Sequence, residues 1–336
     1  MVYVVSIQDV AKKAGVSVAT VSRVMNNKKN ISQKTREQVL SAMKELDYQP
    51  NEIARNLFYK KTDIIGVIIP DIGHPFYSNL VREIEIRLYS LGYKIMLCST
   101  SLVPLREKEY IDMLRRHMVD GIIICTHSLD VEDSLGGGVD YHHLSIPLVS
   151  INRVIGKNIA TVYSDHRRGG ELAAKKLLDN GCRQILQIFG ERHIVSHSDD
   201  RHTEFARCIS QSDAELINYR MENDTFDFAE YSQLAARLLK QYPQIDGVFA
   251  TDLIAAAFIH EAKKIGRSIP EDLKIIGIDG TVIAKVVSPV LTCVRQDIQQ
   301  LASKSVEALM TQINHKTLNS NEILVDIFLE EGETTL

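Results

Sequence analysis

The sequence of 336 residues has few of the features that mark secreted, membrane or metal-binding proteins. It contains no Trp, and its 5 Cys form no Cys-x-x-Cys pair. This scatter argues against a disulfide framework and a structural zinc site. No apolar run approaches the roughly 20 residues that a membrane helix needs. The N-terminus lacks the pattern of a signal peptide, so we expect a cytoplasmic protein.

The composition is that of a globular protein with more than one domain, but its charge is unevenly distributed. Hydrophobic residues make up 45% of the chain and charged residues 24%. Residues 1–61 carry 11 Lys and Arg against 5 Asp and Glu, whereas residues 62–336 carry 28 against 38. A small basic head on a large acidic body indicates that only the head contacts a polyanion.

The basic head has the signals of three short helices. Three serines that favour helix starts precede apolar residues at helical spacing: Ser6, Ser17 and Ser32. Asp9 follows Ser6 as in an acidic variant of the capping box, and Gly15 ends the first helix. In the third helix, the apolar residues that recur at helical spacing are Val39, Leu40, Met43 and Leu46. The first two helices, joined by a tight Gly turn, form a candidate helix-turn-helix.

The second helix, VATVSRVMNN, sorts its side chains onto two faces at about 100° per residue. The face predicted to pack on the first helix contains Val21, Val24 and Met25. The opposite face contains Ala19, Ser22 and Arg23. Val18 and Ala19 are small enough to approach thymine methyl groups, and Arg23 can donate two hydrogen bonds to guanine. Taken alone, this face is also compatible with a small helical bundle that has one solvated arginine.

The segment SIQDVAKKAGVSVATVSRVMNNKKNISQKTREQVLSAMKELDYQPNEIARNL resembles the N-terminal segment of the lactose/galactose-repressor (LacI/GalR) transcription regulators. The resemblance is nearly position by position over residues 6–57. It implies that Val18, Ala19 and Arg23 read bases, with Ser22 beside them. The positions that it implies for contacts to the DNA backbone are Ser6, Ser17, Thr20, Asn26, Ser32 and Thr35.

The stretch after Tyr48-Gln49-Pro50-Asn51 is predicted to be a hinge that needs support to fold. Pro50 disfavours helix at Gln49, and the helix-forming stretch after it is too short to be stable alone. In the family this stretch is similar to a hinge helix that orders on the operator and pairs with its dimer mate. Leu57 stands at the position of a leucine wedged into the minor groove, where an apolar side chain kinks the duplex. The alternative is that Leu57 packs on the core. The neighbouring hinge positions are Asn51, Ala54 and Arg55.

The acidic body alternates short apolar runs with amphipathic helices, which predicts two α/β lobes with doubly wound parallel sheets. The first lobe has strand signals in IIGVIIP, KIMLCS, GIIIC and PLVSI. The second has them in QILQIF, the Leu216 region, GVFAT and LKIIGID, with helices at about residues 167–180, 199–210, 228–241 and 253–264. We expect the lobes to follow one another, as in a periplasmic-binding-protein-like fold. The predicted domains are therefore a helix-turn-helix head (1–50), a hinge helix (51–61) and a two-lobed body (62–336).

Proteins with two such lobes bind small ligands outside the carboxyl ends of their strands. Carboxylates, amides and Arg there can bond sugar hydroxyls, and an aromatic ring can stack on a sugar face. The effector-binding residues predicted in these loops are Asp71, His74, Phe76, Tyr77, Asn152, Arg153, Asp252 and Asp279. For Asp71 and Asp279, the alternative is a purely structural role in a helix cap or turn.

The family resemblance continues through the body, more weakly. IPDIGHPFYSNL is similar to the first ligand loop, with His74 where Asn is common, and SPVLTCVRQD is similar to a late crossover segment. The resemblance implies that Arg201 binds the effector. The motif around it usually contains Gly where this sequence has Glu204, so the local helix packing is not predicted. A nearby loop contains His193, His197 and His202 but no recognised ligand pattern. We expect no metal and no cofactor.

The expected function is that of a DNA-binding transcriptional regulator. The family implies a repressor of a carbohydrate-utilisation operon, controlled by a small sugar or sugar phosphate in the crevice between the lobes. A two-fold symmetric homodimer implies a pseudo-palindromic operator. The sequence has no leucine-heptad helix that would favour a tetramer. An enzyme is disfavoured, because no nucleophile elbow, phosphate-binding loop or dinucleotide fingerprint is present. A periplasmic binding protein would need a signal peptide and no DNA-binding head.

Overall fold

The computed structural model describes residues 5–25, 31–48, 61–101, 103–126, 141, 144–156, 158–190, 199–221 and 226–335. The chain divides into two compact units, Met1–Thr62 with the head and Asp63–Leu336 with the body. In the described ranges, no helix is both long and apolar enough to cross a membrane. The sequence-based predictions that lie outside the described residues concern Asn26, Asn51, Ala54, Arg55, Leu57, His193 and His197.

The head contains three helices: α1 (Ile7–Ala14), α2 (Val18–Met25) and α3 (Gln33–Glu45). The predicted capping box is confirmed. Ser6 Oγ accepts a hydrogen bond from the Asp9 amide at 3.3 Å, and Asp9 Oδ2 accepts one from the Ser6 amide at 2.9 Å. Gly15 ends α1 with φ 65°, a left-handed conformation that costs glycine little. Local sequence therefore sets where the first helix begins and ends.

One apolar cluster holds the three helices together. It contains two buried residues from each helix: Val10, Ala11, Val21, Val24, Val39 and Ala42. Leu40 lies outside this cluster: its side chain is 51% exposed, whereas Ala42 is 3% exposed. Successive residues of a helix differ by about 100°, so burying Val39 and Ala42 turns Leu40 outward.

The body contains strands and helices in nearly regular alternation. In chain order these are β1 (Ile64–Ile69), α4 (Pro75–Ser90), β2 (Lys94–Ser99), α5 (Pro104–Arg116), β3 (Gly121–Ile124), β4 (Leu148–Ile151), β5 (Ala160–Ser164), α6 (His166–Asp179), β6 (Gln184–Phe189), α7 (Asp200–Ile209), β7 (Glu215–Arg220), α8 (Phe228–Gln241), β8 (Gly247–Phe249), α9 (Asp252–Lys264), β9 (Lys274–Asp279), α10 (Val282–Val286), β10 (Thr292–Gln296), α11 (Ile298–Ile313), β11 (Glu322–Val325) and β12 (Ile327–Glu330).

Two six-stranded sheets form the two lobes. The first lobe has the strand order β11-β5-β4-β3-β1-β2, and its paired strands are parallel. The second has the order β12-β10-β9-β8-β6-β7, and among the described strand pairs β10–β12 is antiparallel while the others are parallel. The predicted doubly wound architecture is confirmed. The carboxyl ends of the parallel strands place their loops along one edge of each lobe.

The expectation that the lobes simply follow one another was wrong. The chain crosses between them after β5, after β10 and between β11 and β12. Helix α11 returns to the first lobe and contributes Leu301, Ala302, Val306 and Leu309 to its core. Four strands of each lobe were predicted, whereas β5 and β11 of the first and β10 and β12 of the second were not. These strands are only four or five residues long. Strands β5 and β10 also mix polar with apolar residues (ATVYS and TCVRQ), so they lack the mainly apolar run that marks β3, β4 and β8, which are no longer.

Candidate functional site

Helix α2 presents one face to the core of the head and the opposite face to solvent. Val21 is fully buried, whereas Val18 is 41% exposed. Ala19 and Arg23 are also exposed, and Ser22 is half-buried. This is the separation that the spacing predicts. The buried valines fix the helix on α1 and leave a short face with two small side chains and one guanidinium. Such a face can approach base edges in a major groove.

The serines at the helix starts of the head form matching local networks. Ser17 Oγ accepts a hydrogen bond from the Thr20 amide at 3.2 Å and lies 2.9 Å from Thr20 Oγ1. Ser32 Oγ accepts one from the Thr35 amide at 3.2 Å and lies 2.8 Å from Thr35 Oγ1. Each hydroxyl pair stands at a helix N-terminus, where the helix dipole favours an anion. Hydroxyls used in a cap retain further hydrogen-bonding capacity for a phosphate oxygen.

In the first lobe, the loop after β1 contains Asp71 and brings the rings of His74 and Tyr77 together, while Phe76 is buried in the core. Asp71 Oδ1 accepts a hydrogen bond from the Gly73 amide at 2.7 Å, and His74 Nδ1 accepts one from the Phe76 amide at 3.2 Å, so both residues shape the entry to α4. The rings of His74 and Tyr77 lie 5.2 Å apart. Phe76 is 4% exposed and belongs to the core of the lobe. Its predicted role in effector binding is therefore withdrawn.

Asn152 and Arg153 follow β4 and are held in different surroundings. Asn152 has φ 60°, and its Oδ1 accepts a hydrogen bond from the Ser164 amide at 3.0 Å. Arg153 is 6% exposed. Nearby, the Tyr141 hydroxyl donates a hydrogen bond to Glu107. Burial and Glu107 raise the pKa of Tyr141, and the charge of Arg153 opposes this rise. Arg153 thus lies beside a buried polar cluster of the first lobe.

In the second lobe, two predicted carboxylates lie close together but differ in their roles. Asp252 Oδ2 accepts hydrogen bonds from the amide and hydroxyl of Thr281 at 2.6 and 2.8 Å. Burial, followed by the charge of Asp279, raises the pKa of Asp252 well above its usual value. Asp252 is 2% exposed and joins α9 to the turn after β9, so we remove it from the effector set. Asp279 Oδ1 accepts a hydrogen bond from Gln296 Nε2 at 2.7 Å.

Arg201 is oriented by a chain of polar contacts that reaches the edge strand β7. Arg201 Nε donates a hydrogen bond to His202 Nε2 at 3.1 Å, and His202 Nδ1 lies 3.3 Å from Gln187 Oε1. Gln187 Nε2 in turn donates to Asn218 Oδ1 at 2.8 Å. Burial, helped by the charges of Arg201 and His166, lowers the pKa of His202 well below its usual value. The neutral imidazole accepts this hydrogen bond from the guanidinium.

The departure at Glu204 leaves close helix packing in place, because Gly170 on α6 provides the contact. A Cβ on Gly170 would lie 2.1 Å from the backbone oxygen of Arg201. Glu204 is 6% exposed, and its carboxylate pairs with Arg207 Nε at 2.9 Å and with Arg167 Nε at 3.4 Å. The helices α6 and α7 therefore approach through Gly170, and the carboxylate of Glu204 is neutralised by arginines.

Four residues that the sequence analysis did not select also lie at the strand ends. Phe226, in the second lobe, packs edge-on against His74 of the first lobe at 4.5 Å. Arg220, at the end of β7, stacks on Phe189 at 5.0 Å. Gln296 bonds Asp279 and, through Oε1, accepts from Asn152 Nδ2 at 3.1 Å. A search for polar and aromatic residues at the ends of QILQIF and of the Leu216 region would have found Phe189, Arg220 and Phe226. Gln296 could not have been found in this way, because its strand was not predicted.

Two family models match separate parts of the chain. Residues 6–51 match the model described as "Bacterial regulatory proteins, lacI family", and residues 174–335 match the "Periplasmic binding protein-like domain". The first match covers the three helices of the head. The second covers most of the second lobe together with the segments that return to the first.

Several proteins similar over nearly the whole length are named as sugar operon repressors. The chain is 38% identical to the ribose operon repressor of Halalkalibacterium halodurans, covering 98% of this chain and 97% of that protein. It is 36% identical to the sucrose operon repressor of Streptococcus mutans, covering 98% and 99%. Among solved structures, the lac repressor dimer bound to operator and the anti-inducer ONPF is similar with a TM-score of 0.85 at 26% identity, covering 99% of this chain and 100% of that chain.

Proposed function

Because the chain belongs to the lacI family of bacterial regulatory proteins, we propose that it is a homodimeric, sugar-responsive repressor of a carbohydrate-utilisation operon. Its domains are a DNA-binding head (1–50), a hinge helix (51–61) and an effector-binding, dimerising body (62–336). Its working compartment is the cytoplasm, where the operator lies. The ribose and sucrose repressors support a sugar effector, and the operator-bound lac repressor dimer supports a homodimer on pseudo-palindromic DNA.

The observation that carries the DNA-binding proposal is the exposed face of α2. Val18, Ala19 and Arg23 stand on this face because Val21 and Val24 bury the opposite one. The serines that cap the helices place their hydroxyls at the helix N-termini, where phosphates bind readily. In this proposal Val18, Ala19 and Arg23 read bases. The set that contacts the backbone or completes the interface is Ser6, Ser17, Thr20, Ser22, Asn26, Ser32, Thr35, Asn51, Ala54 and Arg55, with Leu57 as the minor-groove wedge.

The effector proposal places the ligand between the strand ends of the two lobes. The first lobe contributes Asp71, His74, Tyr77, Asn152 and Arg153, and the second contributes Arg201 and Asp279, with Phe226 as a further aromatic wall. An arginine and a carboxylate hydrogen-bond sugar hydroxyls, and the aromatic rings pack against the sugar's apolar face. Ligand binding changes the arrangement of the lobes and thereby the population of chains that bind the operator.

Replacement of Arg23 tests the proposal at the DNA. Duplexes selected by the purified chain from a random library supply the specific site, and fluorescence anisotropy compares it with random DNA. Arg23→Ala is expected to reduce the discrimination by about 1–3 kcal/mol, the value of one bidentate guanine contact. Arg115→Ala, on α5 of the body, removes the same charge and serves as the matched control. Equal discrimination by Arg23→Ala and the parent would mean that α2 is not the recognition helix.

A sugar panel tests the effector half. D-ribose, sucrose and their phosphates are added to the complex with the selected duplex, and the melting temperature of the chain is followed separately. A ligand that raises the melting temperature binds the folded state. Release of DNA by that ligand identifies an inducer. Tighter DNA binding would instead identify a corepressor, and a panel in which no sugar changes the melting temperature would contradict a sugar effector.

A further inference from the structure

The hydrogen bonds of Gln296 join the two lobes of the body. Gln296 is the last residue of β10, is 3% exposed, and stands two residues before α11, which packs in the first lobe. Its Oε1 accepts from Asn152 Nδ2 at 3.1 Å and from Ser164 Oγ at 2.8 Å, both at strand ends of the first lobe. Its Nε2 donates to Asp279 Oδ1 of the second lobe at 2.7 Å. A single buried amide therefore contacts both lobes.

The neighbouring groups fix the direction of each bond. Asn152 Oδ1 accepts from the Ser164 amide at 3.0 Å, so Asn152 Nδ2 is the atom that faces Gln296. Because Oε1 of Gln296 receives these donors, its Nε2 faces Asp279 and donates a hydrogen bond to Oδ1 of that side chain. Ser164 ends β5 and Gln296 ends β10, and after each of these strands the chain crosses to the other lobe. The network thus lies at two of the crossings.

Asp279 is held in an unusual backbone conformation beside this network. Its φ of 105° lies in the region that favours glycine. The following residue, Gly280, packs so closely on β10 that a Cβ there would lie 2.3 Å from Cγ of Arg295. Gln296 binds Oδ1 of Asp279, and within the described part of the chain no hydrogen bond reaches Oδ2. One carboxylate oxygen therefore accepts a hydrogen bond from Gln296, which also contacts the first lobe, and the other can accept a hydrogen bond from a ligand.

We propose that Gln296 is a positioning residue that couples ligand binding at Asp279 to the opening between the two lobes. The proposal rests on the proposed function in one respect, namely that Asp279 binds the effector. A ligand hydroxyl bound to Oδ2 moves the carboxylate, and Gln296 transfers that movement to Asn152 and Ser164. Without this amide the crossing segments still connect the lobes, but the hydrogen-bonded connection between their strand ends is lost.

Distances between spin labels on the two lobes, measured by pulsed electron paramagnetic resonance, test the coupling in the full-length chain without ligand. Arg116→Cys on α5 and Gln241→Cys on α8 supply exposed labelling sites. The background is Cys208→Ser, because Cys208 is half-buried while the other cysteines are buried. Gln296→Leu keeps the side-chain size without its hydrogen bonds and is expected to give a longer and broader distance distribution. Gln184→Leu removes a bond to Glu215 within the second lobe and is expected to leave the distribution unchanged.

A second variant guards against misfolding of the first. Gln296→Glu keeps acceptors for Asn152 and Ser164 but places a carboxylate against Asp279, and the same opening is expected. An unchanged distribution in a folded variant of either kind would overturn the proposal. Measuring DNA binding by the same samples distinguishes a failure of the proposed function from a failure of the proposed role of Gln296. A parent chain that binds no DNA contradicts the proposed function, whereas a DNA-binding chain whose lobes do not open on substitution contradicts the role of Gln296.

Discussion

His202 links the stability of the body to pH at the scale of one residue. Its lowered pKa keeps the folded imidazole neutral, while the unfolded chain takes up a proton below about pH 6.5. Folding stability is therefore expected to fall as the pH drops below that value. His202→Gln, whose side-chain carbonyl still accepts from Arg201, is expected to show a smaller drop in melting temperature between neutral and mildly acidic buffer. The exposed His117→Gln is the control, and an equal drop in parent and His202→Gln would contradict the linkage.

Ser17 allows the capping and DNA-contact roles of one residue to be separated. Aspartate is as good an N-cap residue as serine, but its charge repels a phosphate. Ser17→Asp is therefore expected to keep the melting temperature of the head and to bind the selected duplex more weakly, most clearly at low salt. Ser17→Ala, in contrast, is expected to cost about 1 kcal/mol of helix stability. Anisotropy and circular dichroism on both variants provide the measurement. Unaltered DNA affinity in Ser17→Asp would place this hydroxyl away from the phosphates.

At the scale of elements, the contact between α6 and α7 depends on Gly170. Its added Cβ would meet the backbone oxygen of Arg201 at 2.1 Å, whereas a Cβ on Gly169 would meet only side chains, at 3.1 Å. Gly170→Ala is therefore expected to lower the free energy of unfolding by about 1–3 kcal/mol through overpacking. Gly169→Ala is the matched control with a smaller loss, because side chains can shift and alanine favours helix. Denaturant midpoints check both, and equal values would refute the close approach.

The elements also show which parts of the fold the sequence could predict. Helix bounds in the second lobe, such as His166–Asp179, agree with the expected range within a residue, because caps and apolar spacing are local signals. Strand β5 pairs with β11, and β10 pairs with β12, across long stretches of sequence, and β5 and β10 mix polar with apolar residues instead of forming an apolar run. Asp279 was selected because it directly follows an apolar run. Gln296 was missed because it reaches the strand ends of the first lobe at a crossing between the lobes, which the sequence did not predict. Phe76 was misassigned because helical periodicity turns its side chain into the core.

At the scale of the whole molecule, the two compact units are expected to unfold in separate steps. The head has its own apolar cluster, and the body has its own cores in both lobes. Calorimetry of the full-length chain is therefore expected to show two transitions. The selected duplex raises the transition of the head, and a bound sugar raises that of the body, because each ligand stabilises the unit that binds it. A single transition that both ligands shift equally would contradict independent unfolding.

The three crossings between the lobes also determine when a newly made chain can finish folding on the ribosome. The first lobe lacks its helix α11 and its edge strand β11 until nearly the whole chain has been synthesised, although β1 emerges early. The second lobe likewise waits for β12. Until then, apolar surface of both sheets stays open to chaperones or to aggregation. A chain truncated before Ile298 is therefore expected to form no folded body, because α11, β11 and β12 complete the two lobes.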